Sequence, residues 1–280
     1  MKLDRVRTSS NVEDRRGGVA RKGIALSGGT AVLVIIFALV TKQNPLELLA
    51  SMNQGAAQQA GPGASATVDP NDPGAVFVKK ILATTEDVWN AELPKLGSPY
   101  QEPKLVLYRE AVESACGFQQ AAVGPFYCPG DRMAYFDLDF LVQLQKKLGA
   151  EGDFAAAYVI AHEIGHHVQK LLGTSDRVRQ AGRDEGATSN SVRLELQADC
   201  YAGVWGHYAQ AKGLLEAGDA EEALGAANAI GDDTLQRRGR GRVTPETFSH
   251  GSSEQRVRWF KTGMDTGDPR RCDTFQTDSL

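Results

Sequence analysis

His162-Glu163-Ile164-Gly165-His166-His167-Val168-Gln169 gathers three histidines and a glutamate into eight residues. It lies within Phe154 to Leu172, where apolar residues recur at helical spacing, so it is read as helix. Residues four apart on a helix share a face, one turn above the other. His162 and His166 therefore present both imidazoles to one side, where they can hold a single cation, with Glu163 beside them to draw a proton from water. This is the donor set of a zinc hydrolase, in which two histidines leave one ligand still to be supplied and one position open. The chain has five histidines, His162, His166, His167, His207 and His250, and three fall in this one stretch. His167 points about 100° away from the ligand face and is expected to be packed or hydrogen-bonded.

The missing ligand must come from another element. Ser191 to Leu214 reads as a second helix, mostly apolar, in which Glu195 and Asp199 stand one turn apart on one face. Glu195 is the natural third ligand. Asp199, displaced by a turn, is placed to accept the other ring N–H of His162 or His166. An isolated Glu-x-x-x-Asp would be an ordinary solvated helix face. Downstream of a histidine pair, with turn-forming Gly173-Thr174-Ser175 and residues 186–191 between, it reads as the second half of a metal site on two crossing helices.

With these residues assembled, the sequence resembles the bacterial putative neutral zinc metallopeptidase family. The resemblance is carried by 162–169, by Glu195-Leu196-Gln197-Ala198-Asp199-Cys200-Tyr201-Ala202-Gly203, by Gly124-Pro125-Phe126-Tyr127-Cys128-Pro129, and by His250-Gly251-Ser252-Ser253-Glu254-Gln255-Arg256. It extends to the N-terminal basic segment, so it covers nearly the whole chain. The ligand pattern is more distantly similar to thermolysin-like peptidases. The resemblance implies an α+β, zincin-like metallopeptidase domain, mostly helical with a small sheet, behind an N-terminal transmembrane helix. It implies Zn²⁺ held by His162, His166 and Glu195, with Glu163 as general base and Asp199 as orienting carboxylate. His250, before a predicted helix, is a candidate oxyanion donor because a histidine plays that part in thermolysin-like enzymes; a capping role is the other reading. Tyr127, Tyr135 and Arg256 are further candidates for the same task. The expected reaction is hydrolysis of a polypeptide or peptide, with a hydrolytically weak zinc-containing binding protein or a non-peptidase amidase of the cell envelope as alternatives.

Residues 1–23 carry seven basic side chains against three acidic ones, and Ile24 to Val40 is a run of seventeen uncharged residues. That pattern predicts a single-pass anchor in the cell membrane, with the N-terminus cytoplasmic and everything after Thr41 translocated. A cleaved signal peptide fits less well, because no tight Ala-x-Ala site follows the apolar run. Cys116, Cys128, Cys200 and Cys272 all lie beyond the span, in the part that would meet an oxidising environment. Four cysteines allow three pairings. Cys116–Cys128 closes a short Gly-containing loop, which leaves Cys200–Cys272; free buried thiols are the alternative. Beyond residue 23 the formal charge is −8, against −4 for the whole chain, so nothing favours a nucleic acid partner.

Residues 41–73 have linker composition, and 74–280 are expected to form one domain. Phe77 to Leu93 reads as helix and Leu105 to Tyr108 as strand. Phe126-Tyr127 and Met133 to Phe136 read as a strand pair around a Cys128-Pro129-Gly130-Asp131 turn. Leu138 to Leu148, Glu221 to Ile230 and Ser252 to Phe260 read as further helices, and Arg237 to Arg242 as a basic solvated loop. Gln119 to Tyr127 is the candidate rim along which an extended substrate would add as a strand, or else an ordinary disulfide-closed hairpin.

Overall fold

Leu105 and Leu107 alternate with Val106 and Tyr108 along β2 (Lys104–Tyr108), and all four are buried, so the sheet is covered on both faces. The computed structural model describes residues 1–16, 69, 71–120, 124–140, 152–182, 184–277 and 279–280. In it β2 is the second strand of a four-stranded sheet. β1 (Val12–Asp14) and β6 (Met133–Asp137) flank β2 in parallel, and β5 (Phe126–Cys128) pairs antiparallel with β6 at the edge. A separate hairpin, β3 (Ala111–Ser114) and β4 (Gly117–Gln120), contributes Val112 to the cluster formed by Val106, Tyr108, Cys128 and Tyr135 on one face. The opposite face, with Leu105, Leu107, Ala134 and Phe136, belongs to the main core shared with the helices.

The helices are α1 (Pro73–Glu92), α2 (Asp153–Leu171), α3 (Thr174–Ala181), α4 (Asn190–Ala211), α5 (Asp219–Ala229), α6 (Asp232–Arg240) and α7 (Ser253–Thr266). Three of them, α1, α4 and α7, start at a side-chain cap. Asp72 accepts from the backbone N–H groups of Gly74 and Ala75, Ser189 accepts from Val192, and Ser252 with Gln255 forms a capping box. The two cystine bridges are Cys116–Cys128, joining the hairpin turn to the end of β5, and Cys200–Cys272, joining α4 to the C-terminal tail.

The α+β, mostly helical expectation agrees with this architecture, whereas the membrane layout must be corrected. Met1–Asp14 and Asp69–Leu280 fold as one unit. Within that unit β1 is laddered to β2. The Met1 amino group is ion-paired with Asp153 at 2.9 Å and Glu216 at 3.0 Å, and Arg7 with the buried Glu86 at 2.9 Å. A segment paired in this way with the domain cannot lie across a bilayer from it, so a cytoplasmic N-terminus with an extracytoplasmic domain is overturned. The expected span 24–40, and residues 41–68 of the expected linker, fall outside the described residues. Among the described residues no helix is long and apolar enough to cross a membrane. The longest, α1, α2 and α4, all carry charged side chains such as Glu86, Glu163 and Asp199. The transmembrane helix, the membrane anchoring and the single-pass location are therefore not features of the described fold. A smaller correction concerns 237–242: residues up to Arg240 are helical, in α6, and only the end of that stretch is loop.

Candidate metal centre

The site forms where α2 crosses α4. Gly165 makes the crossing possible, because a Cβ there would lie 2.9 Å from the Ala198 carbonyl oxygen and 3.1 Å from its Cα. This contact sits between Glu195 and Asp199 on α4 and between His162 and His166 on α2. Glu195 Oε2 lies 3.3 Å from His162 Nε2, and Oε1 lies 3.6 Å from His166 Nε2. His162, His166 and Glu195 thus offer ligand atoms within 4.8 Å of one another. The two helices chosen from sequence bring together the three residues chosen from sequence.

The other nitrogen of each ring is already engaged. His162 Nδ1 lies 2.8 Å from Asp199 Oδ1, and His166 Nδ1 lies 2.9 Å from Gln169 Oε1. Both partners are acceptors, so each Nδ1 donates and each Nε2 is left to turn its lone pair toward Glu195. Three electron-rich atoms facing one another attract a positive charge, a proton or a metal ion, and two imidazoles with one carboxylate are a zinc donor set. The donor chemistry therefore fits zinc. The same field acts on protons. Burial disfavours charge on His162, yet Asp199 and then Glu195 override it and push its pKa up to about 10. His166 is raised likewise, against burial, by Glu195. Burial also opposes the Glu195 charge, but His166 and His162 hold it well below the usual carboxylate range.

Behind the ligands lies a fully buried polar network. Asp199 Oδ1 accepts from the Tyr158 hydroxyl at 2.5 Å and from Arg256 Nη2 at 2.9 Å, as well as from His162. Arg256 comes from the first turns of α7. Burial would protonate Asp199, and the Arg256 guanidinium followed by His162 keeps its pKa low. Arg256, considered from sequence as an oxyanion donor, is instead committed to Asp199. Tyr158, one turn before His162, escaped the sequence reading; Gln169, three residues after His166, is placed near the site by helical spacing but without a role.

Glu163 is buried on α2, and its charge is among those acting on His166. His250 is not among the three clustered ligands; its side chain is half exposed. Asp232 organises it: Oδ2 accepts from the backbone N–H groups of Ser249, His250 and Gly251, and Oδ1 lies 3.2 Å from His250 Nδ1. The Asp232 hydrogen bond raises the His250 pKa while burial opposes, and the Glu195 charge adds to the rise. His167 faces the other way. Its Nε2 donates to the Gln101 carbonyl at 2.6 Å, which makes Nδ1 the acceptor for the Tyr127 hydroxyl at 3.0 Å. Tyr127 is thereby occupied, and Tyr135 donates to Asp131 from the far face of the sheet. A second group of acids, Asp153, Asp219 and Glu222, also clusters; the Met1 ammonium, ion-paired with Asp153 and Asp219, already serves it.

A family model described as Putative neutral zinc metallopeptidase matches residues 1–275 of the chain. Among curated proteins, the Escherichia coli "Uncharacterized protein YpfJ" is 50% identical over 282 residues, covering 96% of each chain. The Mycobacterium tuberculosis "Uncharacterized protein Rv2575" is 45% identical over 215 residues, covering 72% of this chain and 71% of its own. No solved structure matches.

Proposed function

The chain belongs to the Putative neutral zinc metallopeptidase family, and from that premise we propose that it is a zinc-dependent peptidase using Glu163 as general base. The observation that carries the reading is the convergence of His162, His166 and Glu195 with both Nδ1 atoms engaged elsewhere. In this reading those three residues hold Zn²⁺, whose contribution is to acidify water and polarise the scissile carbonyl. Every other task falls to side chains. Glu163 takes the proton of the attacking water and returns it to the departing amine. Asp199, fixed by Arg256 and Tyr158, holds His162 in orientation. His250, aimed by Asp232, donates to the oxygen that becomes negative as the carbonyl is attacked. A half-exposed position suits this last role, since the substrate must reach it. Peptide bonds as the substrate follow from the family description.

The test separates holding from catalysis. Glu163→Gln should bind zinc as wild type does and lose hydrolysis of an unfolded polypeptide, whereas Glu195→Ala should lose affinity for zinc itself. Equal hydrolysis by Glu163→Gln and wild type would end the mechanism.

A further inference from the structure

Gln169 is wholly buried, and its amide is fully used. Its Oε1 faces His166 Nδ1 at 2.9 Å, while Nε2 donates to the Leu194 carbonyl at 2.6 Å and to Gln197 Oε1 at 3.2 Å. Two acceptors around Nε2 fix which way the amide points, so Oε1 is the atom left for the imidazole. Gln197 is fixed in turn, because its Nε2 donates to the Cys272 carbonyl at 2.9 Å. That carbonyl sits on a tail tied to α4 at several further points. Cys272 is bonded to Cys200, Thr274 Oγ1 donates to the Arg193 carbonyl at 2.6 Å, and Arg193 donates to the Thr277 carbonyl at 2.8 Å.

We propose that Gln169 is a positioning residue for metal binding, the first link of a relay through Gln197 to the Cys272 carbonyl that holds His166 with Nε2 toward Glu195. This rests on the zinc reading above and goes beyond it. A neutral imidazole has two tautomers, and only the one protonated on Nδ1 leaves Nε2 free to ligate. Asp199 selects that tautomer for His162 and needs no orienting, since either carboxylate oxygen accepts. An amide is different. Rotated by half a turn, Gln169 would offer its NH₂ to Nδ1 and select the wrong tautomer. The Leu194 carbonyl and Gln197 prevent that rotation, and the disulfide-bonded tail prevents Gln197 from turning in its place. The C-terminal residues 272–277, remote in sequence from both histidines, thereby take part in binding the cation.

The experiment is a chelator-competition measurement of zinc affinity on the full chain. Gln169→Met, similar in length but without an acceptor, should weaken zinc binding about 10- to 100-fold. Gln169→Glu, protonated on the oxygen that meets the Leu194 carbonyl and Gln197 Oε1, keeps an acceptor on Nδ1 and should lose less affinity than Gln169→Met. Gln197→Met, one link further away, should show a smaller loss. A packing role alone would not separate the Met from the Glu variant. Gln169→Met binding as tightly as wild type, or Gln169→Glu losing as much as Gln169→Met, would overturn the relay while leaving the zinc reading intact. No zinc binding by wild type would instead defeat that reading, and the relay with it. Should Gln169→Met fail to fold, Gln197→Met decides: unchanged affinity there overturns the proposal.

Discussion

His166 and His167 are neighbours on α2, yet their imidazoles serve opposite purposes. His166 donates from Nδ1 to Gln169 and turns Nε2 to the Glu195 carboxylate; His167 donates from Nε2 to a backbone carbonyl and accepts from Tyr127. Glu195 pulls the pKa of one ring up, against burial, and burial pushes the other down to about 4. One face of the helix carries the candidate ligands, and the other holds a neutral imidazole that stitches α2 to β5 and to the 100–101 segment. The residue type does not decide the role. What decides it is which nitrogen is already occupied, and by what.

The sharpest way to break this contrast is to remove chemistry from the metal-facing side without disturbing its structure. Glu163→Gln should lower kcat for peptide hydrolysis by about 10²- to 10⁴-fold with zinc content unchanged in the same preparation, whereas His167→Phe should leave zinc content and affinity alone. Next in size is Asp199→Asn. It should weaken zinc binding about 10- to 100-fold in a chelator competition, because the carboxylate that orients His162 and neutralises Arg256 is lost.

The sheet-facing side should reveal itself in acid. The folded protein keeps His167 neutral down to about pH 4, whereas the unfolded chain takes up that proton near 6.5. Between those values the unfolded state binds more protons, so stability is whole above 6.5 and falls as the pH drops toward 4. At pH 5 this amounts to about 2 kcal/mol. Denaturant melts of His167→Phe should show a flatter dependence across that window than wild type. An identical slope would mean that His167 is not the neutral buried group described here.

The smallest effect concerns His250, whose pKa Asp232 raises. As the donor it must be protonated, so activity should fall as the pH rises through its folded pKa. Asp232→Asn should move that alkaline limb to lower pH, by about one unit, in a kcat/KM profile. An unmoved limb would assign it to another group.

The sequence is most informative where periodicity and contrast coincide. The two histidines stand out because a 3.6-residue repeat places them together, and Glu195 and Asp199 because they interrupt an apolar helix. β1 offers neither signal. It is three residues long within a polar, basic segment, and its anchoring side chain, Glu86, lies more than seventy residues away, where it accepts from Ser9 and Asn11. The same basic residues, placed before an apolar run, matched the charge pattern of an anchor, so a rule about topology prevailed over a ladder that no local pattern announces. The role of Gln169, which helical spacing places near the site, and Gln197 altogether escaped for a related reason: a glutamine on a helix is ordinarily solvated, and here both are buried where α2 crosses α4. The β3–β4 hairpin is short and largely polar, with Phe118 two-thirds exposed, and therefore lacks the alternation that reveals a covered strand.

Whether one cation is held across α2 and α4 can be read from a zinc-edge anomalous difference map of crystals grown with the metal. A single strong peak is expected, enclosed by His162 Nε2, His166 Nε2 and the Glu195 carboxylate, with Asp199 and Gln169 still on the opposite ring nitrogens. A peak coordinated elsewhere, or none at these three residues in zinc-replete crystals, would contradict it.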